Sequence, residues 1–310
     1  MRKLVISAGA VVLLVAILAI PIAAWMGAGA LHPLHRPLDK SLVEAADAVL
    51  ARDSALREDF SVTAQDGTIL RGWLAIPASN TNDSPADWVM LLHGSGDNRV
   101  GMIGAADFLL QAGYAVTMMD SRAQGESGGE QATFGWRERD DVHAIIDALE
   151  PHHRVRHLYA LGISMGAGIA LQAAAFDPRI EAVVAEAPFA SLREASYDYV
   201  SFRHGTWLGE TILFPAALAG VSAMERAGGF DVDANSPEAS VRRRPFPILL
   251  IEDGDDDNLP ARHVRLIFAN ATGPKQIWVI PGAAHASGLG ADREGYRQHV
   301  LQFFAKKGKN

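Results

Sequence analysis

Hydrophobic positions change their period several times along this chain, and each change marks an element. From Leu4 to Met26 the sequence LVISAGAVVLLVAILAIPIAAWM carries no charge. These 23 residues would form about 34 Å of helix, against about 30 Å of bilayer hydrocarbon. After Pro33 and Pro37, the residues Leu42, Val43, Ala46, Val49 and Leu50 recur at helical spacing, so 31–59 reads as a linker with one amphipathic helix. At Phe60 the period shortens to two. FSVTAQ and TILRGWLAI flank Asp66-Gly67, two residues that tolerate positive φ, and the trio predicts a β-hairpin.

Short apolar runs then alternate with longer helical patterns. The runs are Trp88–Leu92, Tyr114–Met119, Leu158–Ile163 and Ile180–Ala185; helical periodicity covers Met102–Gln111, Trp136–Leu149 and Met165–Ala175. Short, mostly apolar runs suit strands buried on both faces, so the pattern predicts a mostly parallel sheet with helices on both sides. From about 189 to 240 the alternation stops. Tyr197, Tyr199, Phe202, Trp207, Phe214 and Phe230 lie there among glycines, which predicts a helical cap inserted over one end of the sheet. Strand patterns resume at Phe246–Ile251 and Gln276–Ile280, separated by a helix near Ala261–Asn270, and a last helix covers Asp292–Phe304. Residues 60–310 thus form one α/β domain with an insertion.

Composition narrows the function classes. A chain of 310 residues with 49% hydrophobic and 21% charged side chains can build a packed core. A net charge of −8 argues against nucleic acid as a partner. The absence of cysteine excludes a disulfide framework, a thiolate metal site and a cysteine nucleophile. No phosphate-binding or dinucleotide glycine signature occurs, so neither cofactor nor metal is implied. Arg2 and Lys3 precede the apolar run and no acid occurs before Asp39. The positive-inside rule then places the N-terminus in the cytoplasm and the folded domain outside it, anchored by residues 4–26 as a transmembrane helix. Cleavage near Ala30, after the small residues Ala28-Gly29, is the alternative, and would yield a secreted protein.

Three signals point to nucleophilic catalysis. Gly162-Ile163-Ser164-Met165-Gly166 stands where a strand pattern gives way to a helix, and glycines on both sides let a sharp turn present the serine hydroxyl. Among eleven histidines, His285 alone follows the last strand pattern closely, in PGAAHAS. Between them, after the Phe246–Ile251 strand, Glu252-Asp253-Gly254-Asp255-Asp256-Asp257 supplies acids that can orient an imidazole, without composition selecting one. A calcium loop is excluded there by the lack of the spaced acids it requires. Serine, acid, histidine is the chain order expected of a hydrolase built on this sheet.

The sequence resembles the α/β-hydrolase fold superfamily, nearest the serine aminopeptidase-like and alpha/beta-hydrolase-domain group. The resemblance covers roughly Phe60 to Phe304 and is carried by LLHGSGDN (91–98), DSRAQGESGG (120–129), GISMG (162–166), EAPF (186–189), the aspartate–Pro260 loop and PGAAHA (281–286). It implies Ser164 as nucleophile and His285 as general base. The family commonly places its acid four residues before a helix-opening proline, which implies Asp256, with Asp257 and Asp255 as alternatives. The backbone N–H groups of Ser95 and Met165 would form the oxyanion hole. Two departures stand out: Ala123 replaces a common glycine, and Glu252-Asp253 replaces a frequent His-Gly. The implied reaction is hydrolysis of carboxylic esters, acyl or lipid-like. Alternatives are an aminopeptidase, for which Glu194 and Glu210 could bind the amine, an acyl-protein thioesterase, or a membrane-tethered scaffold without catalysis. The Val241–Arg244 run and the Lys306–Lys309 tail read as solvated charge.

Overall fold

The structure, a computed structural model, describes residues 8–80, 84–201 and 207–307. Arg2, Lys3, the first residues of the apolar run (Leu4–Ser7), Phe202 and Gly308-Lys309 lie outside the described residues.

Eight strands form one sheet in the order β1-β2-β4-β3-β5-β6-β7-β8. The hairpin β1 (Ala55–Thr63) and β2 (Ile69–Pro77) is antiparallel, and β2 meets β4 (Ala115–Met119) antiparallel. The remaining strands, β3 (Ala86–Leu92), β5 (Val155–Ile163), β6 (Ile180–Glu186), β7 (Ile248–Asp253) and β8 (Lys275–Ile280), run parallel with β4. Gly67 turns the hairpin at φ +84°, and Asp66 accepts the Thr68 N–H at 3.0 Å. Strand β1 starts before Phe60 because Arg57, Glu58 and Asp59 lie on a sheet edge, where charge is tolerated and hides the alternation.

Alternate residues of the buried strands feed two cores. Val89 and Leu91 pack with Val116, Leu161 and Val184 under α2 (Lys40–Arg52), α3 (Ile103–Gln111) and the C-terminal helix, Arg293–Lys307. Trp88, Met90 and Leu92 face the opposite way, toward α4 (Glu138–Leu149) and α5 (Met165–Phe176). Both faces are therefore covered, which is why these strands read as mostly apolar runs.

The insertion between β6 and β7 holds α6 (Leu192–Val200), α7 (Trp207–Glu210), α8 (Phe214–Gly228) and α9 (Pro237–Ser240). Its small core is Phe189, Leu192, Val221, Met224, Phe230 and Leu31. Of the cap aromatics, Phe230 is buried in that core, whereas Tyr199, Trp207 and Phe214 are exposed. Arg244, expected as solvated charge, is half-buried instead: its guanidinium donates to the carbonyls of Ala174, Asp177 and Ile180, where α5 passes into β6.

The uncharged N-terminal run forms α1 (Ala8–Gly29), and part of it lies along α8. A Cβ on Gly27 would stand 2.1 Å from the Gly220 carbonyl oxygen, so the two backbones meet where only glycine fits. Among the described residues no helix is long and apolar enough to cross a membrane. The transmembrane helix expected from residues 4–26 is thus unsupported: its first turn lies outside the described residues, and at Ala23 and Gly27 one side is buried against protein.

The other helices complete the order. They are α10 (Arg262–Asn270), α11 (Gly288–Ala291) and α12 (Arg293–Lys307).

Candidate active site

Strand β5 ends at Ile163 and α5 begins at Met165, which leaves Ser164 alone to make the turn. It does so at φ 54°, ψ −113°, a conformation costing about 1–3 kcal/mol for a residue with a side chain. The surroundings hold it there. Its N–H donates to the Glu186 carbonyl at 2.8 Å, and its own carbonyl accepts the Gly168 N–H at 3.1 Å. Close backbone approach explains the flanking glycines: a Cβ on Gly162 would stand 2.2 Å from the Gly166 carbonyl oxygen, and one on Gly166 2.0 Å from that of Leu92.

Ser164 Oγ lies 2.9 Å from His285 Nε2, and His285 Nδ1 lies 2.7 Å from Asp256 Oδ2. A carboxylate can only accept, so Nδ1 carries the proton and Nε2 presents its lone pair to the serine hydroxyl. Asp256 Oδ1 accepts the N–H groups of Asn258 at 2.7 Å and Leu259 at 2.8 Å. Both oxygens of the buried carboxylate are therefore engaged. Asp255 and Asp257 point to solvent on either side of it. The imidazole itself is 20% exposed, open enough for a substrate and for water.

Two backbone segments flank Ser164. Met165 opens α5, where its N–H is free of helical partners and lies at the positive end of the helix dipole. On the other side, the Gly94–Gly96 turn brings Ser95 alongside: a Cβ on Gly94 would stand 3.6 Å from Ser164 Cβ. Two buried side chains hold this turn. His93 Nε2 accepts the Ser121 N–H at 3.0 Å, so Nδ1 bears the proton and donates to the Gly94 carbonyl at 2.8 Å. Burial also lowers the His93 pKa and keeps the ring neutral. Gln124 accepts the Gly96 N–H at 2.6 Å through Oε1, while its amide nitrogen lies 3.6 Å from Met165 Sδ. Neither residue was singled out by the sequence, although both stand inside its motifs; their partners are 28 positions away.

The 120–129 loop that supplies Gln124 is fixed by charge. Asp120 accepts from the Arg99 N–H at 2.7 Å and the Glu126 N–H at 2.7 Å, and Arg122 grips Asp141 with two bonds. Ala123 adopts φ +59°, which explains why glycine suits that position. Ala123→Gly is expected to stabilise the fold by about 1 kcal/mol, a rise in Tm of about 2–4 °C, because it removes a steric penalty outside the site. Thermal unfolding measures this directly; an unchanged or lower Tm would mean the loop bears no strain at Ala123.

Neither acid considered as an amine ligand is bonded to a described relay residue. Glu194 is ion-paired to Arg262, whose guanidinium also reaches Asp198 at 2.6 Å, and Glu210 is exposed on α7.

A model of the family described as serine aminopeptidase, S33, matches residues 83–214. The Mycobacterium tuberculosis protein Rv2307c, itself uncharacterised, is 30% identical over 229 residues, 73% of this chain and 72% of its own length. The chain belongs to the α/β-hydrolase superfamily of serine hydrolases. This hydrolase is also 26% identical to the uncharacterised Bacillus subtilis protein YqkD, over 79% of this chain and 78% of that one. Its fold is similar to that of the Pyrococcus furiosus esterase Pf2001, with a TM-score of 0.67 at 23% identity, covering 83% of this hydrolase and 93% of the esterase.

Proposed function

We propose that this hydrolase cleaves carboxylic esters, acyl or lipid-like, through an acyl-enzyme on Ser164. The observation that carries the proposal is the continuous relay from Ser164 Oγ to His285 at 2.9 Å and on to Asp256 at 2.7 Å. As Oγ attacks the ester carbonyl, its proton passes to His285 Nε2. The carbonyl oxygen becomes an oxyanion and is met by the N–H groups of Ser95 and Met165, and Asp256 stabilises the imidazolium. His285 then protonates the leaving alcohol. Water repeats the sequence, attacking the acyl carbonyl while His285 takes its proton, and the acid and Ser164 are released. The imidazole must be neutral to begin the cycle.

The state of the cap acids removes one aminopeptidase candidate: such an enzyme needs a carboxylate free to bind the substrate amine, and Glu194 is already neutralised by Arg262, while Glu210 is exposed on α7. The test is fluorophosphonate labelling of the full chain followed by turnover of a chain-length series of p-nitrophenyl esters against aminoacyl anilides. Labelling with ester turnover supports the proposal. Preference for anilides gives the aminopeptidase instead, preference for thioesters the thioesterase, and a folded protein that neither labels nor turns over gives the scaffold.

We further propose that the enzyme sits at a membrane through the apolar outer face of α1. The described outer face of α1 supports this: Leu14, Ile17, Leu18, Ile22, Trp25 and Met26 are all exposed, and Phe214 and Leu218 continue the apolar surface on α8. Release of the whole protein from membranes by alkaline carbonate would overturn it.

A further inference from the structure

Two carboxylates outside the relay lie directly beneath it. Glu186 closes β6 and Asp253 closes β7, the adjacent parallel strand, so both side chains leave the sheet at its catalytic end. Each is almost completely buried, at 1% and 3% exposure. Glu186 Oε1 accepts the Gly288 N–H at 2.9 Å, and Oε2 accepts the Tyr296 hydroxyl at 2.6 Å. Asp253 Oδ2 accepts the Ala286 N–H at 2.8 Å. Asp253 Oδ1 is buried and accepts from no described group. A Cβ placed on Gly288 would stand 3.0 Å from this oxygen and 3.0 Å from Glu186 Oε1, so the two carboxylates close on one glycine.

What they hold is the chain immediately after His285. Ala286 is at φ +57°, a conformation the loop would not keep unaided. The same two residues touch the rest of the relay through their backbones: the Glu186 carbonyl accepts the Ser164 N–H at 2.8 Å, and the Asp253 carbonyl accepts the Asp256 N–H at 3.2 Å.

We propose that Glu186 and Asp253 are a paired-carboxylate clasp that positions His285 between Ser164 and Asp256 and loosens when both are ionised. Two ionised carboxylates this close and this buried repel each other, with little water to screen them. A single proton on the pair removes the conflict. Burial first, and then the charge of Asp253, push Glu186 up to about 7; burial, opposed by the Ala286 N–H and reinforced by Asp256, pushes Asp253 up to about 6. The other ionisable groups facing the pair are His285, whose charge acts in the opposite direction, and Tyr296 on α12, which stays protonated as a donor.

The sign follows from linkage. The folded state binds protons more tightly here than the unfolded chain, whose ordinary values are 3.8 and 4.5. The pair's stabilisation is therefore complete below about pH 4 and lost as pH rises through about 6 to 7. Above that range the clasp opens and His285 drifts, so turnover falls on the alkaline side.

As a statement about turnover the inference rests on the ester-hydrolase proposal, but the clasp can be read without it. The full chain is compared as wild type, Asp253→Ala, Asp253→Asn and Glu186→Gln. Alanine removes the Ala286 contact; misplacing His285 should lower kcat by about 10–100-fold with KM near the wild-type value. Asparagine keeps an oxygen for Ala286 and puts an N–H₂ donor where the orphan oxygen stood, so it should rescue kcat and abolish the alkaline fall. In parallel, Tm is followed from about pH 5 to about pH 8, where it should drop in the wild type and drop less in Asp253→Asn and Glu186→Gln. If Asp253→Asn retains the wild-type pH dependence of Tm, the clasp is overturned, whether or not esters are turned over. If it flattens Tm but keeps the alkaline fall in kcat, the positioning role is overturned. Flattened Tm with no ester turnover in any variant leaves the clasp standing and sinks the ester proposal alone.

Discussion

Ser164→Ala is expected to remove ester turnover, by about 10⁶-fold in kcat, and to abolish fluorophosphonate labelling. The loss is this large because, among the described residues, Ser164 Oγ is the hydroxyl bonded to His285, whose ring with Asp256 takes the proton that leaves Oγ. Stability should hardly move. Alanine has the same Cβ as serine, so the strain at φ 54° is unchanged, and Oγ makes its described hydrogen bond to His285 alone. The imidazole is partly exposed, so water can replace the hydroxyl. Circular dichroism and thermal unfolding should therefore superpose on the wild type within about 0.5 kcal/mol. Substantial turnover by the purified alanine variant would show that another residue is the nucleophile, and the ester mechanism drawn through Ser164 would fall.

The serine was legible in the sequence for a physical reason. Only a chain with glycine at 162 and 166 can bring strand end and helix start so close, and that requirement writes itself into the pattern. Strands β3 to β7 were legible because burial on both faces leaves mostly apolar runs. What stayed hidden were pairings over long separations. Gln124 with Gly96 and Glu186 with Gly288 have no local period to betray them. Charge misled in a similar way. The Arg242–Arg244 run looks solvated, yet Arg244 is spent on three carbonyls where α5 passes into β6. For α1, hydrophobicity announced an apolar environment but could not name it. Ala23 and Gly27, small residues four apart, were the available sign that part of that environment is another helix.

The acid was the least legible member, since Asp255, Asp256 and Asp257 are consecutive and chemically identical. The fold separates them by direction: one is buried against His285 and its neighbours face solvent. Asp256→Asn is accordingly expected to lower kcat by about 10⁴-fold while the protein remains folded. The size of the effect comes from how this carboxylate is held. Oδ1 accepts two backbone N–H groups, from Asn258 and Leu259, so the amide of asparagine must place its oxygen there. Its N–H₂ then faces His285 Nδ1. A donor at that position can be met only by an unprotonated Nδ1, which moves the ring proton to Nε2 and points it at Ser164, where a base is needed. The imidazole stays in place but in the wrong tautomer, so kcat should collapse with little change in KM or Tm. Asp255→Asn and Asp257→Asn, whose side chains touch neither ring nor serine, should retain wild-type kcat. A large loss in either of these, with Asp256→Asn still active, would move the acid by one residue and overturn the relay as drawn.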